Sequence, residues 1–126
     1  MKLYDPEVAP DPQEWLELDE QERIALAEAH HLAAHIELPN AKAHACFHAI
    51  VENQIAEEYQ YVVCAMARLR SEGLSRHDAL HAIGSVLAEQ LHKAVSTHTE
   101  FSAPRYEAAV GRLTARIWRR RYGSRP

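Results

Sequence analysis

Residues 76–95 read Arg-His-Asp-Ala-Leu-His-Ala-Ile-Gly-Ser-Val-Leu-Ala-Glu-Gln-Leu-His-Lys-Ala-Val. Leu80, Ile83, Leu87 and Leu91 recur at intervals of three and four, which places them on one stripe of an α-helix and is incompatible with the two-residue period of a strand. Ser75, with Asp78 three residues on, supplies a capping start for this helix, and Gly73 suits the position just past the end of the one before it. No stretch of the chain alternates with period two between hairpin turn residues. The expected fold class is therefore all-α, a compact bundle of about five helices with no sheet.

Working outward, a helix over about 60–72 carries Val63, Met66, Ala67 and Leu69, and one over about 41–58 carries Cys46, Phe47, Ile50, Val51 and Ile55. Leu38-Pro39-Asn40 breaks the chain ahead of it, with Asn40 placed to cap. Asp19 and Glu22 form a capping-box start for a helix to about Ala34, and Asp11-Pro12 opens a short turn anchored by Trp15 and Leu16. On the other side, Ser102 and Pro104 open a helix to about Arg120 with Tyr106, Val110, Leu113 and Ile117 at core spacing. The reading is one domain over 1–126, with an extended arm over 1–11 and a basic tail over 119–126.

The 126 residues are enough for a core that needs no disulfide or structural metal. A hydrophobic content of 47% and a charged content of 25% exclude an intrinsically disordered chain. Charged and histidine residues interrupt every apolar run well short of the roughly 18–20 residues a membrane helix requires. Residues 1–12 contain Asp5, Glu7 and Asp11 and no apolar signal core, so the cytoplasm is the expected compartment. Cys46 and Cys64 form no Cys-x-x-Cys pair and read as core thiols.

Nine histidines stand out in a chain with only four glycines. Three pairs are spaced four apart, His31/His35, His44/His48 and His77/His81. Four residues rotate a helix by only about 40°, so each pair projects from one face as a two-nitrogen claw. Imidazole is a common ligand for zinc, nickel and iron, and two such helices facing each other can complete a site. His44, His48, Glu52, His77 and His81 form the candidate ligand set, with Asn53, Gln54 and Arg76 as candidate orienting residues around it. Wheel geometry puts both pairs at the boundary of the apolar faces, with Gly84 and Ala88 on the same side as His77 and His81. His30 and His98 are expected in solvent.

Other arrangements of the same residues carry less. Glu28-x-x-His31 and Glu89-x-x-His92 match one element of di-iron bundles, but Glu89 falls opposite the leucine stripe. Cys46 points away from His48 on the wheel, so the thiol is not activated within its own helix. Boundary histidines also make ordinary hydrogen bonds. A metal-free, homo-oligomeric interaction module therefore stands beside the metal reading, and a small metal-dependent hydrolase with Glu52 as general base is a third. The sequence names no substrate.

The segments His44-Ala-Cys-Phe-His48-Ala-Ile-Val-Glu52-Asn53-Gln54, Arg68-Leu69, Gly73-Leu74-Ser75-Arg76-His77-Asp78-Ala79-Leu80-His81-Ala82-Ile83-Gly84 and Leu87-Ala88-Glu89 resemble the uncharacterised bacterial family known as domain of unknown function 1841. The resemblance runs over about residues 30–118, through Tyr106 and Trp118. It implies a small cytoplasmic helical protein without an established activity, whose shared polar feature is the His-x-x-x-His blocks.

Charge is distributed unevenly. Residues 105–126 hold seven arginines against one acid, Glu107, within a chain of net charge −4. Arginines near a helix C-terminus complement its dipole. The acidic chain as a whole and the lack of a reader motif argue against nucleic acid, which leaves docking on the acidic N-terminal region of another copy as the functional use of this tail.

Overall fold

The structure, a computed structural model, describes residues 3–33 and 41–122. Its elements are α1 (Pro12–Glu17), α2 (Glu20–Ala33), α3 (Ala41–Ala56), α4 (Gln60–Ser71), α5 (Arg76–Ser96), α6 (Ala103–Arg112) and α7 (Ala115–Tyr122), with no strand among the described residues. The all-α class holds, with seven helices here where about five were expected. Asn40, His35 and residues 123–126 lie outside the described residues, as does the side chain of His31.

Local chemistry explains most boundaries. The Asp11 carboxylate accepts from the Glu14 N–H at 2.9 Å. At the start of α2 both halves of the capping box form, Glu22 N–H to Asp19 at 2.8 Å and Asp19 N–H to Glu22 at 3.1 Å. Ser75 and Ser102 accept from the N–H groups of Asp78 and Arg105. Gly73, at φ +99°, ends α4, with Leu74 N–H bonded to the Leu69 carbonyl and Gly73 N–H to that of Arg70, each at 3.1 Å. The same two-bond closure ends α3 and α5, but with Glu58 (φ 59°) and His98 (φ 54°) in the left-handed position. This closure stops α3 at Ala56, two residues before the expected end at 58.

The helix expected over about 103–120 is broken. Leu113 turns extended, and Thr114 restarts the chain as α7 by accepting from the Ile117 N–H at 3.1 Å. Arg68 of α4 and its C-cap residue Glu72 stabilise the break. Arg68 donates to the carbonyls of Val110 and Leu113 at 2.8 and 3.0 Å, and Glu72 accepts from the Ala115 N–H at 2.8 Å. These are the backbone groups that a continuous helix would have paired internally.

The long helix α5 sits centrally, packed by α3, α4, α6 and α7. Ala79, Leu80, Ala82, Ile83, Gly84, Val86 and Leu87 are all buried, a wider belt than the leucine stripe alone, because neighbours cover it from several sides. A Cβ built on Gly84 would meet the Phe47 Cβ at 3.8 Å and a Val51 methyl at 3.9 Å, so α3 approaches α5 closely at this point.

A second apolar cluster joins Tyr4, Trp15, Ala27, Ala45 and Ala49 between the N-terminal arm, α1, α2 and α3. The arm expected to be extended is thus partly built into the core, with Tyr4 and Pro6 buried. Trp15 is fully buried and donates its indole N–H to Asn53 at 2.8 Å. Arg23 closes the end of α1, bonding the Trp15 and Leu16 carbonyls and Asn53. Both cysteines are free thiols, but Cys64, expected in the core, is exposed and Cys46 only half-buried.

Candidate metal centre

The polar seam lies where α3 crosses α5. His44 and His48 come from successive turns of α3, and His77 and His81 from the first turns of α5. Ring nitrogens of His44, His48 and His81 all lie within 4.8 Å of one another, so these three can hold a metal ion. The Nε2 atoms of His44 and His81 are 2.9 Å apart in a hydrogen bond between the rings, which requires one ring to donate and the other to accept. The His77 ring packs on His81 with centroids 4.2 Å apart and stacks on His48 at 5.3 Å.

Two further rings, absent from the candidate set, complete the seam. His30 of α2, expected in solvent, is half-buried and meets His77 edge-to-face at 5.3 Å. Tyr4 of the arm meets His30 at 6.4 Å and His48 at 5.3 Å. The signal for His30 was its position three residues after Ala27, which is fully buried on the inner face of α2. No local pattern marked Tyr4, which reaches the seam only because the arm folds back.

Glu52, one turn beyond His48, faces a different partner. It is 1% exposed. Arg76 binds it with two parallel bonds, Nη1 to Oε2 and Nη2 to Oε1, each 2.7 Å. The Tyr4 hydroxyl donates to Oε2 as well and lies 2.8 Å from His48 Nε2. Arg76 Nη1 also donates to the Pro6 carbonyl at 2.9 Å, and Glu7 accepts from the His77 N–H at 3.3 Å. His48, placed at the boundary by wheel geometry, is buried, as is Glu52, because the arm covers that face.

The electrostatics follow from burial. Burial, then the negative charge and hydrogen bond of Glu52, raise the Tyr4 hydroxyl far above the usual phenol range. Burial works against the Arg76 charge, but the hydrogen bonds and charge of Glu52 prevail and raise its pKa above the ordinary guanidinium value.

The expected orienting residues are otherwise employed. Asn53 accepts from Trp15 and Arg23, and Gln54 accepts from the Tyr106 hydroxyl at 2.7 Å. Arg76 is linked to His48 through Glu52 and the Tyr4 hydroxyl. The structure therefore brings His44, His48 and His81 to one point, sets His77 beside them, and ties Glu52 into a neighbouring ion pair. No helix among the described residues is long and apolar enough to cross a membrane. No protein-family model, curated protein or solved structure matches the chain.

Proposed function

We propose that this chain binds a divalent transition metal, zinc, nickel or iron, through His44, His48 and His81, with His77 packed against two of the three rings. The observation that carries the reading is the convergence of three imidazoles from two helices within 4.8 Å. Zinc–nitrogen bonds of about 2.0–2.1 Å at tetrahedral angles set ligand nitrogens about 3.4 Å apart, so the 2.9 Å His44–His81 pair needs to open by only a few tenths of an ångström. Three neutral protein ligands leave a fourth position for water or a small molecule. Glu52, held by Arg76 and Tyr4, serves to orient His48 through the Tyr4 hydroxyl in place of ligating, and for the same reason is not assigned as a general base. Kinship with domain of unknown function 1841 belongs to the same proposal, resting on residues 44–54 and 76–84, and so does a cytoplasmic setting, which suits two free thiols.

One observation favours the metal-free reading. The direct His44–His81 hydrogen bond pairs the Nε2 atom of each ring without an ion. Elemental analysis of untagged protein, before and after dialysis against a mild chelator, separates the two. Metal binding predicts about one ion per chain that is lost in His44→Ala and in His81→Ala and kept in His92→Ala, a change on the exposed side of α5. Metal-free chains that zinc, nickel and iron(II) all fail to load would make the cluster structural.

A further inference from the structure

We propose that the groove between α5, α6 and α7 receives α1 of a second copy of this chain, in a head-to-tail association that does not depend on the metal reading. The groove has a volume of about 230 Å³, with a floor of Val86, Ala109, Leu113 and Ile117 and a rim of Gln90, Arg112 and the exposed Arg121–Glu89 pair, which leaves the rim one positive charge in excess. Ile117 remains 40% exposed at its mouth. The occupant must present an apolar side chain beside carboxylates. The α1 helix does so, with Leu16, 38% exposed, next to Glu17 and near Glu14 and Glu20, all exposed.

Charge complementarity extends beyond these contacts. Residues 5–28 contain nine acids and a single base, Arg23, whereas residues 112–121 contain five arginines and no acid. The two stretches pack on different helices, α1 and α2 on α3, and α7 on α5. The ion pairs Arg76–Glu52 and Arg121–Glu89 join neither stretch to the other. Capping explains Asp11, Asp19 and Glu22, and the dipole explains the arginines ending α7. Neither explains Glu17 at the C-terminal end of α1, which accepts a long 3.4 Å bond from Gln13, or Arg116 in the first turn of α7, both of which oppose the dipole of their own helix. Docking of α1 into the groove sets Leu16 on the apolar floor and brings Glu17 and Glu20 to Arg112 and Arg121. Two different surfaces meet, so the association is heterologous and propagates or closes as a ring.

Sedimentation velocity of the full chain in chelator, over a hundredfold range of concentration, tests the assignment. The expected result is an average mass that rises with concentration in low salt and returns to the monomer in about 0.5 M NaCl, where charges are screened within about 4 Å. The exposed double variants Arg112→Glu/Arg121→Glu and Glu17→Lys/Glu20→Lys, each checked for wild-type circular dichroism, are then monomeric alone. Mixed in equal amounts they associate again, because each carries the surface the other needs. A wild-type chain that stays monomeric in low salt, or association that persists in both variants, overturns the proposal. So does saturable octanoate binding in the groove of a chain that remains monomeric, which would give the site to a small organic anion.

Discussion

Arg76 and Glu52 share two parallel 2.7 Å hydrogen bonds while 8% and 1% of their side chains are exposed. The pair links the start of α5 to the middle of α3 and, through Tyr4 and Pro6, fastens the N-terminal arm over the histidines. Removing one partner leaves a buried charge uncompensated. Arg76→Ala is therefore expected to cost about 3–5 kcal/mol, whereas Arg121→Ala, which breaks the exposed pair with Glu89, costs about 0–1 kcal/mol. Urea unfolding of the two variants gives the comparison. Equal losses would show that the buried pair is not the stronger fastening.

Glu58 and His98 occupy left-handed positions that close α3 and α5. Side chains with a Cβ pay for that conformation and glycine does not. Glu58→Gly and His98→Gly should each stabilise the fold by about 0.5–1 kcal/mol, after subtracting the extra freedom glycine gives the unfolded chain. Both residues are exposed, so the gains should add in the double variant, read as an increase in Tm of several degrees.

Gly84 offers the opposite case. It lies inside α5 with helical backbone, and a Cβ there would find ordinary contacts to Phe47 and Val51 at 3.8 and 3.9 Å. Gly84→Ala is expected to stabilise by about 0.5–1 kcal/mol through helix propensity. Gly84→Leu instead forces α3 off α5, costing about 1–3 kcal/mol. It should also weaken metal uptake, since the ligands His44 and His48 are on α3 and His81 on α5. Titration calorimetry with zinc distinguishes the two substitutions.

Alkaline pH tests the tyrosines. Burial, then Glu52, raise Tyr4, burial raises Tyr106 despite its bond to Gln54, and Tyr59 is pushed up to about 12 by burial and by Glu107. Their folded-state pKa values exceed the unfolded value of about 10. The stability they contribute is therefore complete below about pH 10 and is lost as pH rises toward the folded values. Urea midpoints should fall above about pH 10, with the Tyr4 and Tyr106 phenolates appearing only as the chain unfolds. Tyr4→Phe should flatten the decline, and an unchanged slope would remove Tyr4 from this account.

Helical class, the caps at Asp11, Asp19, Ser75 and Ser102, the Gly73 stop and the leucine stripe of α5 were all legible in the sequence, because each depends on residues within one or two turns of each other. So were the two His-x-x-x-His blocks that supply His44, His48 and His81. The break at Leu113–Thr114 was not, since Arg68 and Glu72, more than forty residues away, hold its backbone groups. The same reason hid the assignment of Glu52, Asn53 and Gln54. Successive residues of one helix point in different directions, and here they bond Arg76, Trp15 and Tyr106 respectively. A sequence determines which side chains share a helix face through fixed rotation per residue. Which partner meets that face, and whether His48 and Glu52 stand in water or under a folded-back Tyr4, depends on contacts between distant segments, and the tertiary structure alone decided it.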